Sequence, residues 1–271
     1  MVKSTADTYS LLWSLKGSRN SVVKWHFDAM QEVIEESIVR GRLGIEIGSG
    51  CGYDTYIMAK TNSGVRFVSI DISDGIYETK KRVSALGNVG LIKCSVLNLP
   101  IKDQLFDFAY SFGVLHHTSD PKKGLREIAR MLKKSAPAFL YLYEDHSKNP
   151  LKYIFIKLVT CVRLITIRLP RRVLYFLSCL LSPLVFTVFT LPAKIMARFR
   201  LTKHIAENMP FNFGTGPFSL RGDIYDRFGA PIEHRFGRQA IMAMFKECGF
   251  YKVRITKLRN TAGWVAWGYR I

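Results

Sequence analysis

The chain has 271 residues, with 40 lysines and arginines against 21 acidic residues and a net charge of +19. This length is enough for one domain with an insertion, and the charge favours an anionic partner such as a phosphorylated substrate, nucleic acid or anionic lipid. The five cysteines are scattered without a C-x-x-C pair, which argues against a zinc site or a disulfide framework and fits a reducing cytosol.

The N-terminal part of the chain shows one aromatic segment and one helical pattern. Residues 1–19 carry Tyr9 and Trp13 among polar side chains, and packing of this segment against its own domain is the simpler interpretation. Residues 21–39 repeat apolar side chains at helical spacing, which predicts a helix.

A glycine-rich turn follows. Residues 43–52 read LGIEIGSGCG, a short apolar run that leads into three glycines at alternate positions, and a helical pattern begins at Tyr53. A buried strand, a glycine turn and a helix in succession form a cradle for a nucleotide-like ligand. A dinucleotide fingerprint needs glycine at position 53, so the tyrosine argues against a nicotinamide cofactor.

Two further segments extend this pattern. Residues 66–71, RFVSID, predict a second strand that ends in Asp71, and residues 106–117, FDFAYSFGVLHH, predict a strand that leads into a pair of histidines. An acid at the end of the second strand of such a fold can accept hydrogen bonds from both ribose hydroxyls.

Strands and helices are expected to alternate through the rest of the core, which predicts a parallel sheet. The expected strands are 43–47, 66–70, 89–93, 106–111, 137–143, 250–258 and 264–271, and the expected helices are 53–60, 75–86, 121–133 and 238–248.

The three segments, in this order and spacing, resemble the class I S-adenosylmethionine (SAM)-dependent methyltransferases of the type 11-like group. The resemblance covers about residues 40–145 and, less closely, 225–271. It implies an α/β Rossmann-like fold, with a seven-stranded, mostly parallel sheet, helices on both faces and a helical insertion after strand 5. It divides the chain into three regions. Residues 1–147 are the N-terminal segment and the SAM-binding core, and residues 148–204 are the apolar helical insertion. Residues 205–271 are the substrate loop with the last helix and the last strands, which complete the core.

The resemblance implies SAM as the cofactor and no metal. Asp71 would accept from the ribose hydroxyls, Ile72 would pack on adenine, and Ser95 stands where the family commonly has an acid for the adenine amine. The residues implied to bind the cofactor are Glu46, Gly48, Ser49, Gly50, Gly52, Asp71, Ile72, Ser95, Val96, Ser111 and Phe112.

The catalytic and acceptor-binding candidates depend on the same resemblance. Methyl transfer relies mainly on alignment, and it needs a general base only when the acceptor is a hydroxyl or another weakly acidic group. His117 and His234 are the candidates for that base, each with a structural role as the alternative. Tyr9 and Trp13 would cover the acceptor, whereas Arg227 and Arg235 would bind its carboxylate or phosphate unless they are solvated loop charges.

Residues 150–200 break the alternation of strands and helices. Val173–Ala193 carries no charge over about 21 residues, although Pro183 and Pro192 interrupt it, and its length would suffice to span a bilayer. A single crossing would leave the last two strands on the wrong side of the membrane. The first leg of a double crossing would carry four cations, at roughly 2.5–3.5 kcal/mol for each central one. We therefore expect a helical hairpin that lies on a membrane surface or caps the active site, with packing against its own domain as the alternative.

The acceptor is the least determined part of the prediction. Amino methyltransferases that act on adenine or glutamine usually carry an Asn/Asp-Pro-Pro-Tyr-like motif after the fourth strand, where this chain has Ser111-Phe112-Gly113-Val114. The sequence therefore predicts O- or N-methylation of a small-molecule or lipid-like acceptor by a cytoplasmic protein that can attach to the inner face of a membrane. The alternatives are a methyltransferase that binds nucleic acid and a SAM-binding module without turnover.

Overall fold

The structure is a computed structural model that describes residues 4–15, 30, 33–34, 37–258 and 263–271. Most of the helix expected over 21–39 lies outside the described residues. Seven strands form one sheet. They are β1 (Leu43–Ile47), β2 (Arg66–Asp71), β3 (Val89–Lys93), β4 (Phe108–Phe112), β5 (Pro137–Tyr143), β6 (Phe250–Lys257) and β7 (Gly263–Arg270).

The strand order is β3-β2-β1-β4-β5-β7-β6. Strands β1 to β5 pair in parallel, whereas β7 runs antiparallel between β5 and β6. The expected seven-stranded, mostly parallel sheet is confirmed. Because β1 lies between β2 and β4, the chain reverses its direction of winding there, and the carboxyl ends of β1 and β4 border the crevice in which such sheets bind ligands.

Nine α-helices accompany the sheet in the described part of the chain. They are α1 (Thr5–Ser14), α2 (Tyr53–Thr61), α3 (Gly75–Arg82), α4 (Pro121–Met131), α5 (Pro150–Thr166), α6 (Arg171–Met196), α7 (Lys203–Asn208), α8 (Arg221–Gly229) and α9 (Arg238–Glu247). Helix α4 begins as its sequence predicts, because the Asp120 carboxylate accepts a hydrogen bond from the Lys123 N–H at 2.8 Å and Pro121 needs no partner at the first helical position.

Helix α6 is longer than its prolines suggest. It continues past Pro183, which has no N–H to donate, and widens into a π-helical stretch at Phe186–Thr190. Our expectation that Pro183 and Pro192 interrupt this segment is therefore wrong. Helices α5 and α6 both pack on α8, and α1 packs on α8 and α3. Helix α1 thus lies between α8 and α3, and its Asp7 also pairs with Arg171 at the start of α6.

Candidate active site

The glycine turn after β1 depends on backbone conformations that other residues rarely adopt. Gly48, Gly50 and Gly52 have φ angles of 83°, 54° and 76°. The N–H groups of Gly48 and Ser49 donate to the Ile70 carbonyl at 2.8 and 3.0 Å, which ties the turn to the end of β2. The turn therefore presents backbone rather than side chains to the crevice.

Replacing Gly52 with alanine is expected to destabilise the fold. The new Cβ would lie 2.6 Å from the backbone Cα of Thr79, at a φ that strains any L-residue. We expect the free energy of unfolding, measured by urea denaturation, to fall by more than about 1 kcal/mol. Gly87→Ala is the matched control, because no heavy atom lies within 4 Å of its Cβ. Equal stability of the two variants would contradict this account of the turn.

Asp71 holds the same turn from the end of β2. One carboxylate oxygen accepts the Gly50 N–H at 2.7 Å, and the other accepts the Ser73 N–H at 2.7 Å and the Ser73 hydroxyl at 2.6 Å. Burial raises the pKa of Asp71, whereas the hydrogen bonds from Ser73 and Gly50 act in the opposite direction. A carboxylate offers about four acceptor positions, and these three hydrogen bonds occupy three of them, so about one is left for a ligand in the crevice.

Glu46 lies behind the turn instead of facing the crevice. Its carboxyl group accepts hydrogen bonds from the Thr55 hydroxyl and, at 2.7 Å, from the Ser69 hydroxyl. Burial, with Asp54 as the next contribution, raises the pKa of Glu46 to about 8. Glu46 therefore braces β1 against α2 and β2, which differs from the direct cofactor contact that the motif implied. Sequence could not reveal this, because the hydroxyl donors come from two separate elements.

A cavity of about 1400 Å³ opens above the turn. Most of the residues implied to bind the cofactor line it, whereas Glu46, Gly52 and Ser111 do not. Those in the lining are Gly48, Ser49, Gly50, Asp71, Ile72, Ser95, Val96 and Phe112. Ser111 lies below the surface, where its hydroxyl donates to the Ile47 carbonyl at 3.1 Å.

Helix α1 covers two different parts of the cavity. The Trp13 indole packs so closely on the turn that a Cβ on Gly50 would lie 2.9 Å from it. The Tyr9 hydroxyl donates to Asp226 at 2.7 Å, and the Tyr9 ring lies 5.4 Å from that of His117. Trp13 thus lies on the glycine turn, and Tyr9, whose ring stacks on that of Trp13 with centroids 6.2 Å apart, extends from there to Asp226 and His117. Sequence reasoning missed Asp226, because an acid within a helix carries no motif.

His117 lines the cavity, as do His146 and His204. Its Nδ1 donates to the Ile232 carbonyl at 2.8 Å, so in the neutral ring Nε2 keeps a free electron pair. Burial lowers the pKa of His117, although Asp226 acts to raise it. His234 does not line the cavity, because its Nε2 donates to the Thr118 carbonyl at 3.1 Å. Of the two candidate bases, the structure brings only His117 to the site.

Three arginines meet beside His117. Arg163 and Arg235 both bind the buried Glu233 carboxylate, each at 2.8 Å. Arg227 also lines the cavity, with its guanidinium carbon 4.7 Å from the centre of the Phe211 ring. The predicted pair of arginines therefore divides: Arg235 has a carboxylate partner, and Arg227 lies on an aromatic ring.

Comparison with known proteins agrees with this geometry. Residues 45–140 match the methyltransferase domain family, and this range includes the glycine turn, Asp71 and the histidine pair. Residues 45–140 form a methyltransferase domain of the class I SAM-dependent type. The matched range ends before α5, so neither α1 nor the insertion belongs to the shared methyltransferase core.

Curated methyltransferases align with this core. The chain is 31% identical over 106 residues to the tRNA (carboxymethyluridine(34)-5-O)-methyltransferase of Saccharomyces cerevisiae, covering 38% of this chain and 36% of that protein. It is 28% identical over 118 residues to the chloroplastic 2-methyl-6-phytyl-1,4-hydroquinone methyltransferase 1 of Oryza sativa subsp. japonica. That alignment covers 43% of this chain and 36% of that protein. The match thus spans only about a third of each relative.

A solved structure shares the whole fold. A SAM-dependent methyltransferase from Aquifex aeolicus superposes with a TM-score of 0.55 over 99% of this chain and 100% of that chain, at 13% identity. At this identity the likeness concerns the fold alone. SAM is the cofactor of the family. The site of this methyltransferase fits it, because the glycine turn exposes backbone to the crevice and the Asp71 carboxylate lies at the cavity wall.

Proposed function

We propose that this chain methylates an oxygen or nitrogen atom of a lipid-like or otherwise apolar small-molecule acceptor at a membrane surface. The observation that carries the proposal is the continuity of the cavity. One space is bordered by the glycine turn and Asp71 and also by apolar residues of the insertion and the loop after it, namely Phe155, Ile156, Ala193, Phe211 and Phe213. Apolar walls with a few convergent polar groups are typical of sites for apolar ligands.

His117 is the residue that we propose as the general base. SAM, when bound, supplies an electrophilic methyl group on a sulfonium. The neutral His117 ring can accept a proton at Nε2, while its Nδ1–H stays bound to the Ile232 carbonyl. Tyr9 packs against this ring and is held by Asp226, so α1 shields His117 from water. His234 is bonded to Thr118 away from the cavity and does not share this role.

Nucleic acid is the second candidate acceptor. It is favoured by the net charge of +19 and by the similarity of the core to a tRNA methyltransferase. The similarity to a hydroquinone methyltransferase favours the apolar acceptor instead. Each alignment covers less than half of this chain, whereas the apolar part of the cavity wall comes from the insertion and the loop after it.

Labelled methyl transfer tests the two candidates together. The purified protein is incubated with SAM carrying a radioactive methyl group and with cell extract, which is then separated into solvent-extractable lipid, RNA and protein. We expect label in the lipid fraction and insensitivity to ribonuclease. Label that enters RNA, and that decreases steeply between about 50 and 200 mM salt, would instead support the nucleic-acid acceptor.

The membrane part of the proposal is supported by two apolar stripes. On α6, Phe176, Leu180 and Leu184 follow each other at four-residue spacing and are 66%, 65% and 59% exposed. They lie two positions from Leu174, Ser178 and Ser182, which are buried, and therefore about 200° away around the helix. A second exposed stripe on α5 contains Ile154, Leu158 and Ile165. We call these six exposed residues the docking face.

The charges around the docking face suit an anionic lipid surface. Eleven lysines and arginines stand between Asp145 and Glu207, with no acidic residue among them. Each cation near such a surface contributes roughly 1 kcal/mol, and each apolar side chain that leaves water contributes about 1.5–3 kcal/mol. A few contacts of each kind suffice for reversible attachment.

Surface attachment accounts for α6 better than a membrane crossing does. Among the described residues, α6 is the one helix long and apolar enough to span a bilayer by length and composition. However, its inner side is bound to the rest of the chain: the Ser182 hydroxyl donates to the Pro217 carbonyl at 2.7 Å, and that of Thr190 donates to Phe211. In addition, β5 before the insertion and β7 after it pair in one sheet.

Sedimentation with liposomes tests the docking face. We expect the protein to pellet with vesicles that contain phosphatidylglycerol and to be released by alkaline carbonate. Leu180→Glu combined with Leu184→Glu should stay in the supernatant. Leu105→Glu, which changes an exposed apolar residue of the core, should pellet like the wild type. If the wild type stays in the supernatant, the insertion is an internal cap. If the wild type stays in the pellet after the carbonate wash, it is an integral membrane protein.

A further inference from the structure

Arg227 is one of the cations that line the cavity. It lies in the last turn of α8, where the helix dipole favours a positive charge, and its side chain borders the cavity. No hydrogen bond or ion pair joins its guanidinium to another residue in the described part of the chain, and Nε is buried without a partner. Its contact is the face of the Phe211 ring.

Two acids, Glu233 and Asp223, act on Arg227 electrostatically, but neither forms an ion pair with it among the described residues. Glu233 binds Arg163 through one oxygen and Arg235 through the other. Arg163 also donates from Nε to the Arg227 carbonyl at 2.8 Å, which fixes the backbone of Arg227 against α5. Burial lowers the pKa of Arg227 and the neighbouring Arg235 adds to this effect, whereas Tyr143, Glu233 and Asp223 act in the opposite direction. A bound anion would relieve both the lost hydration and the repulsion.

We infer that Arg227 is the receptor for an anionic group, a carboxylate or a phosphate, on the apolar acceptor. The inference rests on the proposed function and specifies its substrate class as an anionic amphiphile. The guanidinium presents planar paired donors to either group, while Phe155, Ile156 and Phe211 offer apolar walls for the chain of the acceptor.

The cofactor carboxylate is the competing occupant. The glycine turn that would hold the cofactor packs against Trp13, Thr79 and Val114, whereas Arg227 is anchored to Arg163 of α5 and to Phe211. The two neighbourhoods share none of these residues. We therefore assign Arg227 to the acceptor side of the cavity.

Calorimetric titration of chemically matched probes tests the inference. The probes are decyl phosphate, decanoate, decyl glucoside and inorganic phosphate, each below its micelle concentration and each with and without S-adenosylhomocysteine. For the wild type we expect both anionic amphiphiles to bind more tightly than the glucoside, and we expect inorganic phosphate to bind weakly. Stronger binding of decyl phosphate than of decanoate would identify a phosphate head group, and the reverse order a carboxylate.

The variants are Arg227→Gln, Arg227→Lys and the exposed control Arg126→Gln. Arg227→Gln should weaken the anionic amphiphiles at least about tenfold and leave the glucoside unchanged. Arg227→Lys should lose less affinity for the anionic amphiphiles than Arg227→Gln, and Arg126→Gln should bind all probes like the wild type. Equal affinity of the wild type for decyl phosphate and decyl glucoside would overturn the inference even if a variant failed to fold.

Two further outcomes separate this inference from the proposed function. Loss of S-adenosylhomocysteine affinity in Arg227→Gln, with decyl phosphate binding unchanged, would place the cofactor carboxylate at Arg227. This result would overturn the inference but leave the proposed function intact. A wild type that binds decyl phosphate through Arg227 but does not bind S-adenosylhomocysteine would contradict the proposed methyl transfer and support the anion site.

Discussion

Asp71→Ala is expected to weaken the binding of S-adenosylhomocysteine by about 1–3 kcal/mol, measured by calorimetry. Two effects combine in this loss. The substitution removes a charged acceptor for the ribose hydroxyls, and it leaves the N–H groups of Gly50 and Ser73 without the partner that shapes the glycine turn. The change should appear in cofactor affinity rather than in acceptor recognition.

Two companion variants separate these effects. Asp71→Asn keeps one carbonyl acceptor and should lose less affinity than Asp71→Ala. Asp103→Ala removes an acid that pairs with Arg130 and lies outside the cavity lining, so S-adenosylhomocysteine should bind it as tightly as the wild type. A folded Asp71→Ala with unchanged affinity would remove Asp71 from the cofactor site.

His117→Ala is expected to lower kcat by about 10²–10⁴-fold, the usual contribution of a general base, with S-adenosylhomocysteine affinity largely retained. The pH profile gives an independent measure. Because burial lowers the pKa of His117 below its usual 6.5, the base form prevails at neutral pH. The wild-type rate should therefore stay level from neutral pH down to about that usual value and fall only at lower pH, as the ring becomes protonated.

The controls for this prediction are His234→Ala and Tyr9→Phe. His234 lies outside the cavity lining, so its loss should change kcat far less than the loss of His117. Tyr9→Phe keeps the ring that packs on His117 but loses the hydrogen bond to Asp226. A His234→Ala variant as impaired as His117→Ala, or a rate independent of pH below 6.5, would contradict the assigned base.

The core of the fold was predictable because its signals are local. A glycine turn needs glycines at fixed positions, and buried strands need continuous apolar runs. A helix N-cap needs a side chain that accepts a hydrogen bond, which here is Asp120 before Pro121. The bounds of β1, β3 and β5 accordingly agree with the expectation residue for residue. The position of Asp71 at the cavity was predictable for the same reason, since it stands at the end of β2.

The parts that sequence could not determine depend on contacts between distant segments. Glu46 lies behind the turn because Thr55 and Ser69 bring two hydroxyl groups to it. His117 and His234 both belong to plausible motifs, and only the packing of residues 230–236 against the histidine pair distinguishes them. Helix α6 continues past Pro183 and contains a π-helical stretch at Phe186–Thr190, neither of which a local preference predicts.

The most direct test of the whole account is methylation of an acceptor in intact membranes by wild type and by the Leu180→Glu/Leu184→Glu variant. Membrane vesicles are supplied with SAM carrying a labelled methyl group, and the same lipids extracted into detergent serve as the control substrate. The account predicts that both proteins bind S-adenosylhomocysteine equally and label the detergent-solubilised lipids alike, whereas only the wild type labels intact vesicles. Equal labelling of intact vesicles by the two proteins would contradict it.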